Sequence, residues 1–160
     1  MRVVLQVATR AARLPRGTDL QAWVEAAGAA GGGELTVRLV GWPESRRLNE
    51  RFRRGKGATN VLAFPPGAGQ GVAEELGDLV ICLPLVYREA TEQGKPPLQH
   101  LAHLVVHGVL HLRGFDHECA ASARRMERIE VKVLARLGFP DPYRTEAQRR
   151  VDAAGSRRRA

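Results

Sequence analysis

Short apolar runs alternate with longer amphipathic stretches along the first fifty residues. Residues 3–8 are rich in valine and leucine and are typical of a strand. Residues 18–30 place apolar side chains on one side at helical spacing, and the glycines that follow end this helix. Residues 34–40 alternate between apolar and polar positions, which predicts a second strand. Residues 43–52 open with a proline and are largely polar, which predicts a polar helix.

The middle of the chain turns from helix to strand across a basic loop. Residues 53–57, with the sequence RRGKG, form this loop. Two further apolar runs, at residues 60–64 and 76–83, predict two more strands. The segment between them, residues 65–73, is rich in glycine, alanine and proline, and we predict that it is a loop.

Three helices are predicted after the last strand. One begins at Pro84 and breaks at Gly94. The next spans about residues 97–112 and stops before Gly114, since glycine is the usual residue just beyond the end of a helix. The last covers about residues 119–137, where methionine, isoleucine, valine and leucine recur at helical spacing.

These elements predict an α+β fold, a small, mostly four-stranded mixed sheet packed with about five helices. A length of 160 residues favours a single domain. We predict that this domain spans residues 1–143. Residues 144–160 are polar and rich in arginine, and we expect a basic, disordered tail there.

The charge balance indicates a class of partner. Lysine and arginine outnumber the acidic residues by 25 to 17, for a formal net charge of +8. The tail, with six arginines and two acids, supplies +4 of this excess. A basic domain with a basic tail favours a polyanion, most often a nucleic acid. The alternative is that the charge serves solubility in an arginine-biased composition.

Composition also excludes several classes of protein. Apolar residues make up 44% of the chain, as in ordinary globular proteins, and no run approaches the roughly 20 apolar residues of a membrane span. Two cysteines, Cys82 and Cys119, are too few for a disulfide framework. We therefore expect a protein of a reducing cytoplasm with no membrane partner.

All five histidines lie between positions 100 and 117. His107 and His111 are four residues apart on a predicted helix, so both project from one side of it. Gly114 lets the chain reverse, and His117 can then offer a third nitrogen. Three neutral imidazoles suit one Zn²⁺ ion, although other divalent transition metals also bind such a set. The pattern therefore predicts a metal site at the end of a helix and the glycine turn that follows it.

The other residues near this pattern have plainer interpretations. We assign a structural role to His100 and a packing or supporting role to His103, one turn before His107. Cys119 could be a fourth ligand that closes a structural site, but its offset of two residues from His117 favours packing instead. Zinc peptidases with this histidine spacing carry glutamate directly after the first histidine as general base, whereas this chain has Gly108. That difference argues against a peptidase.

Several blocks of the sequence resemble those of the YbeY endoribonucleases. Residues 107–117 read HGVLHLRGFDH, close to the signature HGxLHLxGYDH of that family. The remaining blocks occur in the family's order, at residues 48–53 (LNERFR), 59–65 (TNVLAFP), 76–81 (LGDLVI) and 126–143. The departures are phenylalanine at 115, alanine at 63, asparagine at 60 and the Gly-Ala pair at 57–58. The resemblance thus covers about residues 35–143.

The resemblance implies a single-strand-specific, metal-dependent endoribonuclease of the bacterial cytoplasm. It implies action in 16S rRNA 3′-end maturation and in ribosome quality control, with rRNA, the ribosome or small-subunit proteins as partners. It also implies one zinc-type ion on His107, His111 and His117, which would activate water and polarise the phosphate. The functionally important arginine of the family falls on Arg53, next to Arg54, where the family often has glycine.

Chemistry assigns further roles around Arg53. Its planar, permanently charged fork suits a phosphoryl group in the transition state. Arg51, Arg54 and Lys56 are the candidate RNA-binding cations, with a solvated basic surface as the alternative. The alternatives for the whole protein are a non-enzymatic ribosome-assembly factor with a structural metal and a zinc hydrolase of another class.

Three expectations concern residues outside the predicted site. Trp42 and Phe52 are interpreted as core residues of the helix and strands, with stacking on RNA bases as the second possibility. Glu127 and Glu130 lie beside the apolar stripe of the last helix, and we expect ordinary helix acids there. Asp78 receives no catalytic role.

Overall fold

A four-stranded mixed sheet forms the centre of the structure, a computed structural model that describes residues 1–29, 31, 33–67, 75–145, 148, 150–151 and 154–156. The strands lie in the order β1-β2-β4-β3, with β1, β2 and β4 parallel and β3 antiparallel to β4. Their bounds are Arg2–Val7 (β1), Glu34–Val40 (β2), Val61–Phe64 (β3) and Glu75–Cys82 (β4). This confirms the predicted α+β class and its mixed sheet.

Five helices form where the sequence pattern predicts them. Their bounds are Leu20–Ala26 (α1), Trp42–Phe52 (α2), Leu83–Glu92 (α3), Pro97–Leu112 (α4) and Ala120–Arg136 (α5). Helix α1 is shorter than the predicted 18–30, because Gly28 takes a left-handed φ of +84° and ends it. The guanidinium of Arg113 donates to the carbonyl of Ala27 at this helix end, over a distance of 2.9 Å. Most of the predicted loop at 65–73 lies outside the described residues.

The main core lies between one face of the sheet and helix α4, which also contacts α1, α3 and α5. The sheet contributes the alternate side chains that the strand pattern predicts, among them Leu35, Val37, Leu79 and Ile81, all fully buried. Apolar residues surround most of α4, and burying each contributes on the order of 1.5–3 kcal/mol. This packing holds α4 rigidly against the sheet, so side chains on its remaining side have a firm base.

A smaller cluster covers part of the opposite face of the sheet. Val40, Leu62, Val80, Cys82 and Leu85 are buried there, and Leu48 of α2 packs against them. Helix α2 is held in place by Ser45, whose hydroxyl donates to the carbonyl of Thr59 at 2.8 Å. As a result, the loop that follows α2 lies next to β3.

Three further features concern the predicted tail, the two cysteines and the possibility of a membrane-spanning helix. In the predicted tail, residues 148, 150–151 and 154–156 have helical backbone, its other residues from 146 onward lie outside the described part, and the division at residue 143 stays a prediction. Both cysteines are free thiols, Cys82 buried and Cys119 exposed. Among the described helices, none is long and apolar enough to cross a membrane.

Candidate functional site

One side of helix α4 carries histidines, whereas buried apolar residues cover most of the rest of that helix. His103, His107 and His111 follow one another at intervals of four residues and are half-buried, whereas most of their neighbours on α4 are fully buried. Positions four apart lie one above the other on a helix, so the three imidazoles form a row. This row faces β3 across an open cleft.

The glycine turn after α4 brings the third predicted histidine into place. Gly114 takes a φ of +94°, and the amide of Phe115 donates back to the carbonyl of Leu110 at 3.0 Å. The ring centroids of His107 and His111 lie 4.7 Å apart, and those of His111 and His117 lie 4.8 Å apart. The nitrogens of His107, His111 and His117 that could hold an ion all lie within 4.8 Å of one another.

The donor set fits a zinc-type ion. Nδ1 of His107 lies 2.5 Å from Oε1 of Glu130, so its Nε2 is the nitrogen left for a metal. Burial, and then the neighbouring His107 and His117, lower the pKa of His111, which favours the neutral imidazole that a metal requires. Three imidazoles with an open fourth position are typical of catalytic zinc sites. The group could therefore bind a divalent transition metal.

Glu130 of α5 is fully buried behind the histidine row, so the expectation of an ordinary helix acid is wrong. Its Oε2 accepts from Nε2 of His103 at 3.0 Å and from the hydroxyl of Tyr143. Burial alone would raise the pKa of Glu130, but the hydrogen bonds from His103, His107 and Tyr143 outweigh it and lower the pKa to about 2. Glu130 is therefore an ionised carboxylate that holds two imidazoles in fixed orientations.

The sequence carries a signal for Glu130. It lies four residues after Met126 and three before Val133, both of which are buried, so it stands within the apolar stripe of α5. A carboxylate at such a position needs hydrogen-bond partners inside the protein. Glu127, one residue away from the stripe, is exposed as expected.

Arg53 reaches the same cleft from the end of α2. Its Nη2 donates to the carbonyl of Ala63 on β3, and its guanidinium carbon lies 5.6 Å from the ring centre of Phe64. The backbone of Arg53 is held by an amide bond of 3.0 Å to the carbonyl of Asn49, one turn back. The structure therefore brings Arg53 to the cleft that holds the histidines, and its catalytic role stays a prediction.

The other three predicted cations lie outside the cleft. Arg51, Arg54 and Lys56 are exposed, and among the described residues none of them lines it. Arg51 lies over the ring of Phe52, at 5.2 Å from its centre. Arg54 takes a φ of +53°, a left-handed conformation that suits glycine better than arginine. Their role in RNA binding also stays a prediction.

The cleft between α4 and β3 has a volume of about 600 Å³. Its walls are formed by α4 and the turn after it, by β3, by the arginine after α2 and by one tyrosine from the C-terminal side. The lining residues are Arg53, Asn60, Val61, Leu62, Ala63, Pro65, His103, Leu104, His107, Gly108, His111, Leu112, His117 and Tyr143.

Gly108 lines the cleft directly after His107. A zinc peptidase with this histidine spacing has its catalytic glutamate at that position. A Cβ at Gly108 would lie only 2.6 Å from Cδ2 of Leu79, which is fully buried on β4. The position after His107 therefore points at the sheet and has no room for a general base. This supports the argument against a peptidase.

Trp42 and Phe52 are not core residues, which corrects the expectation for both. Their exposed fractions are 38% and 55%, because they stand at the two ends of α2 while Ser45, Leu48 and Asn49 face inward. Phe52 meets Phe64 edge to face, with ring centroids 5.7 Å apart.

His100 and Cys119 take the plainer roles. His100 is buried, with Nε2 at 3.0 Å from Oε1 of Glu89. The thiol of Cys119 is exposed and lies 3.2 Å from the hydroxyl of Ser122 at the start of α5. Among the described residues, neither belongs to a group that could hold a metal ion.

Comparisons with known proteins agree on one family. The family model for "Endoribonuclease YbeY" matches residues 12–138. A protein of that name from Alkalilimnicola ehrlichii is 54% identical over 144 residues, which cover 86% of this chain and 87% of the relative. One from Halorhodospira halophila is 53% identical over 138 residues, or 82% of this chain and 90% of the relative. The solution structure of TM1509 from Thermotoga maritima matches with a TM-score of 0.52 at 23% identity, covering 89% of this chain and 99% of that one, which supports the fold alone.

Proposed function

The chain belongs to the endoribonuclease YbeY family, and on that premise we propose that it cuts single-stranded RNA with one zinc-type ion held by His107, His111 and His117. The enzyme is an endoribonuclease, a hydrolase whose substrate is RNA. We propose rRNA as its biological target, at the 3′ end of the 16S species, in ribosome maturation and quality control. The partners would then be the ribosome or small-subunit proteins, in the bacterial cytoplasm.

The observation that carries the proposal is one cleft in which the three imidazoles of the candidate metal site lie together with an arginine. Cleavage of a phosphodiester adds negative charge to the phosphoryl oxygens in the transition state. When bound, a divalent ion of this kind supplies Lewis acidity for a phosphoryl oxygen and lowers the pKa of a water molecule. Imidazoles without charge leave that full positive charge available at the open position.

The protein's own contribution on the opposite wall is Arg53. Its guanidinium donates to Ala63 and lies over Phe64, so its orientation is set before RNA enters. The remaining N–H groups can donate to two phosphoryl oxygens at once. A preorganised donor of this type commonly contributes about 10²–10³ in rate.

Arg51, Arg54 and Lys56 extend the positive charge beyond the cleft mouth. They are exposed, and the loop that carries two of them is held by Asn49, whose Nδ2 donates to the carbonyl of Gly57 at 3.0 Å. Exposed cations of this kind bind phosphates without reading sequence, and their effect weakens as salt rises. In our proposal they hold the strand on either side of the cut.

Neither of the two alternatives from the sequence is favoured. Among zinc hydrolases of another class, a peptidase of this histidine spacing needs a glutamate at the position of Gly108, and Leu79 occupies the space beside that position. A non-enzymatic assembly factor is at odds with a family of endoribonucleases.

The test uses purified enzyme loaded with zinc, a single-stranded RNA from the 3′ region of precursor 16S rRNA, and the same RNA annealed to its complement. We expect cleavage of the single strand and little of the duplex. A chelator should abolish cleavage, and added zinc should restore it. A preparation with both His107 and His111 changed to alanine exposes any contaminating nuclease. Intact RNA with zinc-loaded wild type, or equal cleavage by the double variant, would overturn the proposal.

A further inference from the structure

Strand β3 is an edge of the sheet, and this edge forms a wall of the cleft. Among the residues that the structure describes, β4 is the one strand that pairs with β3. Residues of β3 line the cleft together with the histidines of α4. An edge strand presents backbone N–H and C=O groups that another molecule can pair with.

The pairing pattern decides which backbone groups of β3 face away from β4, on the free edge of the sheet. The amide of Cys82 donates to the carbonyl of Asn60 at 2.9 Å. In an antiparallel ladder, residues alternate between pairs that exchange both hydrogen bonds and pairs that exchange none. With the register Val61 to Ile81 and Leu62 to Val80, Leu62 turns its backbone groups toward β4. Val61 and Ala63 turn theirs away from it.

Two side chains already use this outward row, which supports the assignment. Oδ1 of Asn60 accepts from the amide of Val61 at 2.7 Å, and the carbonyl of Ala63 accepts from Arg53. The other two backbone groups of this row are the carbonyl of Val61 and the amide of Ala63. Neither has a hydrogen-bond partner among the residues that the structure describes.

We propose that this pair binds the Watson–Crick edge of one unpaired nucleobase, with Val61 as acceptor and Ala63 as donor. The proposal rests on the proposed function, since it assigns a subsite of the same cleft. Every RNA base has a hydrogen-bond donor next to an acceptor on that edge. The strand edge therefore accepts any base, but only a base whose Watson–Crick edge is not already paired.

This subsite gives the enzyme a physical basis for choosing single strands. A base in a duplex has committed its Watson–Crick groups to the complementary strand, so it has none to offer β3. Arg53 bonds to the same residue, Ala63, that supplies the donor. The base contact and the phosphate contact are consequently coupled through one residue, opposite the histidines.

The first test removes the donor. Ala63→Pro deletes an N–H that faces away from β4, a position at which an edge strand tolerates proline. Leu5→Pro is the matched control. In the parallel pairing of β1 with β2, Arg2 and Ala8 donate across to β2, so the amide of Leu5 faces outward on the opposite edge of the sheet.

We expect Ala63→Pro to reduce the preference for single strand over duplex about fivefold to tenfold, in line with the loss of one hydrogen bond. Leu5→Pro should keep the wild-type preference. Circular dichroism and metal content verify that both variants are folded and loaded. An unchanged preference in folded Ala63→Pro would overturn the proposal.

The second test is decided by the wild-type protein, so it does not depend on the folding of a variant. A series of RNA oligonucleotides rich in adenosine carries one 1-deazaadenosine each, moved one position at a time. Replacing N1 by C–H removes the acceptor that the Ala63 amide would bond and leaves the base uncharged, with its stacking and the phosphates intact. Wild type should lose about fivefold to tenfold in cleavage and in equilibrium binding at one position. Ala63→Pro should be insensitive there. Equal cleavage and binding at every position would overturn the base contact while leaving the endoribonuclease proposal standing, whereas zinc-loaded wild type that cuts none of the RNAs would count against the proposed function itself.

Discussion

The two sides of helix α4 show how one element can carry both stability and chemistry. One side is apolar and fully buried, with Leu101, Val105 and Val109 in the main core. The other side presents His103, His107 and His111 to the cleft, and its partners come from distant parts of the chain. Substitutions on the histidine side should therefore reduce metal binding and cleavage before they reduce stability. Substitutions on the buried side should first lower the free energy of unfolding.

The largest effect should follow from a change on the histidine side. His111→Ala removes the middle ligand, and we expect no bound metal and no measurable cleavage. Elemental analysis and a single-strand cleavage assay measure both. The midpoint of urea unfolding of metal-free protein should change by much less than for a core substitution, since His111 is only half-buried. Retained metal would break the assignment of this side.

Arg53→Ala tests the wall opposite the histidines. Cleavage should fall about 10²–10³-fold because the phosphate loses a preorganised donor, while metal content stays at the wild-type level. Arg2→Ala is the control: this arginine is exposed and paired with Glu34 at the far edge of the sheet. Metal loss in Arg53→Ala would show that the two walls are not independent.

Glu130→Gln tests the support behind the row. It keeps the shape of the side chain but removes the charge that holds His103 and His107. We expect metal affinity to fall about 10- to 100-fold, measured by competition with a chelator. Tyr143→Phe removes only one of the bonds to Glu130 and should have a smaller effect. Equal affinity in wild type and Glu130→Gln would refute the orienting role.

Gly108→Ala addresses the buried side. The new Cβ would meet Leu79, and overpacking a core costs about 1–3 kcal/mol. Alanine regains about 1 kcal/mol of helix propensity, so we expect a net loss of roughly 1 kcal/mol in the free energy of unfolding. Urea denaturation measures it. Leu79→Ala in the same chain should relieve part of the Gly108→Ala cost, and a purely additive double variant would contradict the contact.

The smallest effect concerns pH. Burial lowers the pKa of His100, opposed by Glu89 and reinforced by Lys95 and His103. The unfolded chain therefore takes up a proton below about pH 6.5 where the folded protein resists it. The free energy of unfolding should fall as pH drops from about 6.5 through the lowered pKa. His100→Gln should lose less over this range, measured by urea denaturation at several pH values, and parallel curves would contradict the prediction.

The sequence predicted the parts of the molecule that depend on neighbouring residues. Strand and helix bounds follow from apolar periodicity, and the histidine cluster from the spacing of residues 107–117 around one glycine. Arg53 came from resemblance, because nothing local distinguishes it from the other arginines of its loop. The roles of Glu130 and Tyr143 were missed. The apolar stripe of α5 indicates that Glu130 is buried, but its partners His103, His107 and Tyr143 come from other segments and meet it only in the folded protein. The burial of Phe52 was predicted wrongly, because the elements packed against a short polar helix decide which of its faces is buried.

The strand order has a consequence for how the chain folds during synthesis. β2 and β4 are adjacent and parallel, yet the residues that separate them include α2 and β3. No part of the sheet beyond β1 and β2 can form until residue 82 has left the ribosome, since parallel neighbours need a long crossover. The histidine segment emerges later still and meets a finished sheet. Glu130, the carboxylate that orients the histidine row, lies on α5, so the candidate site has no such support until α5 has been made.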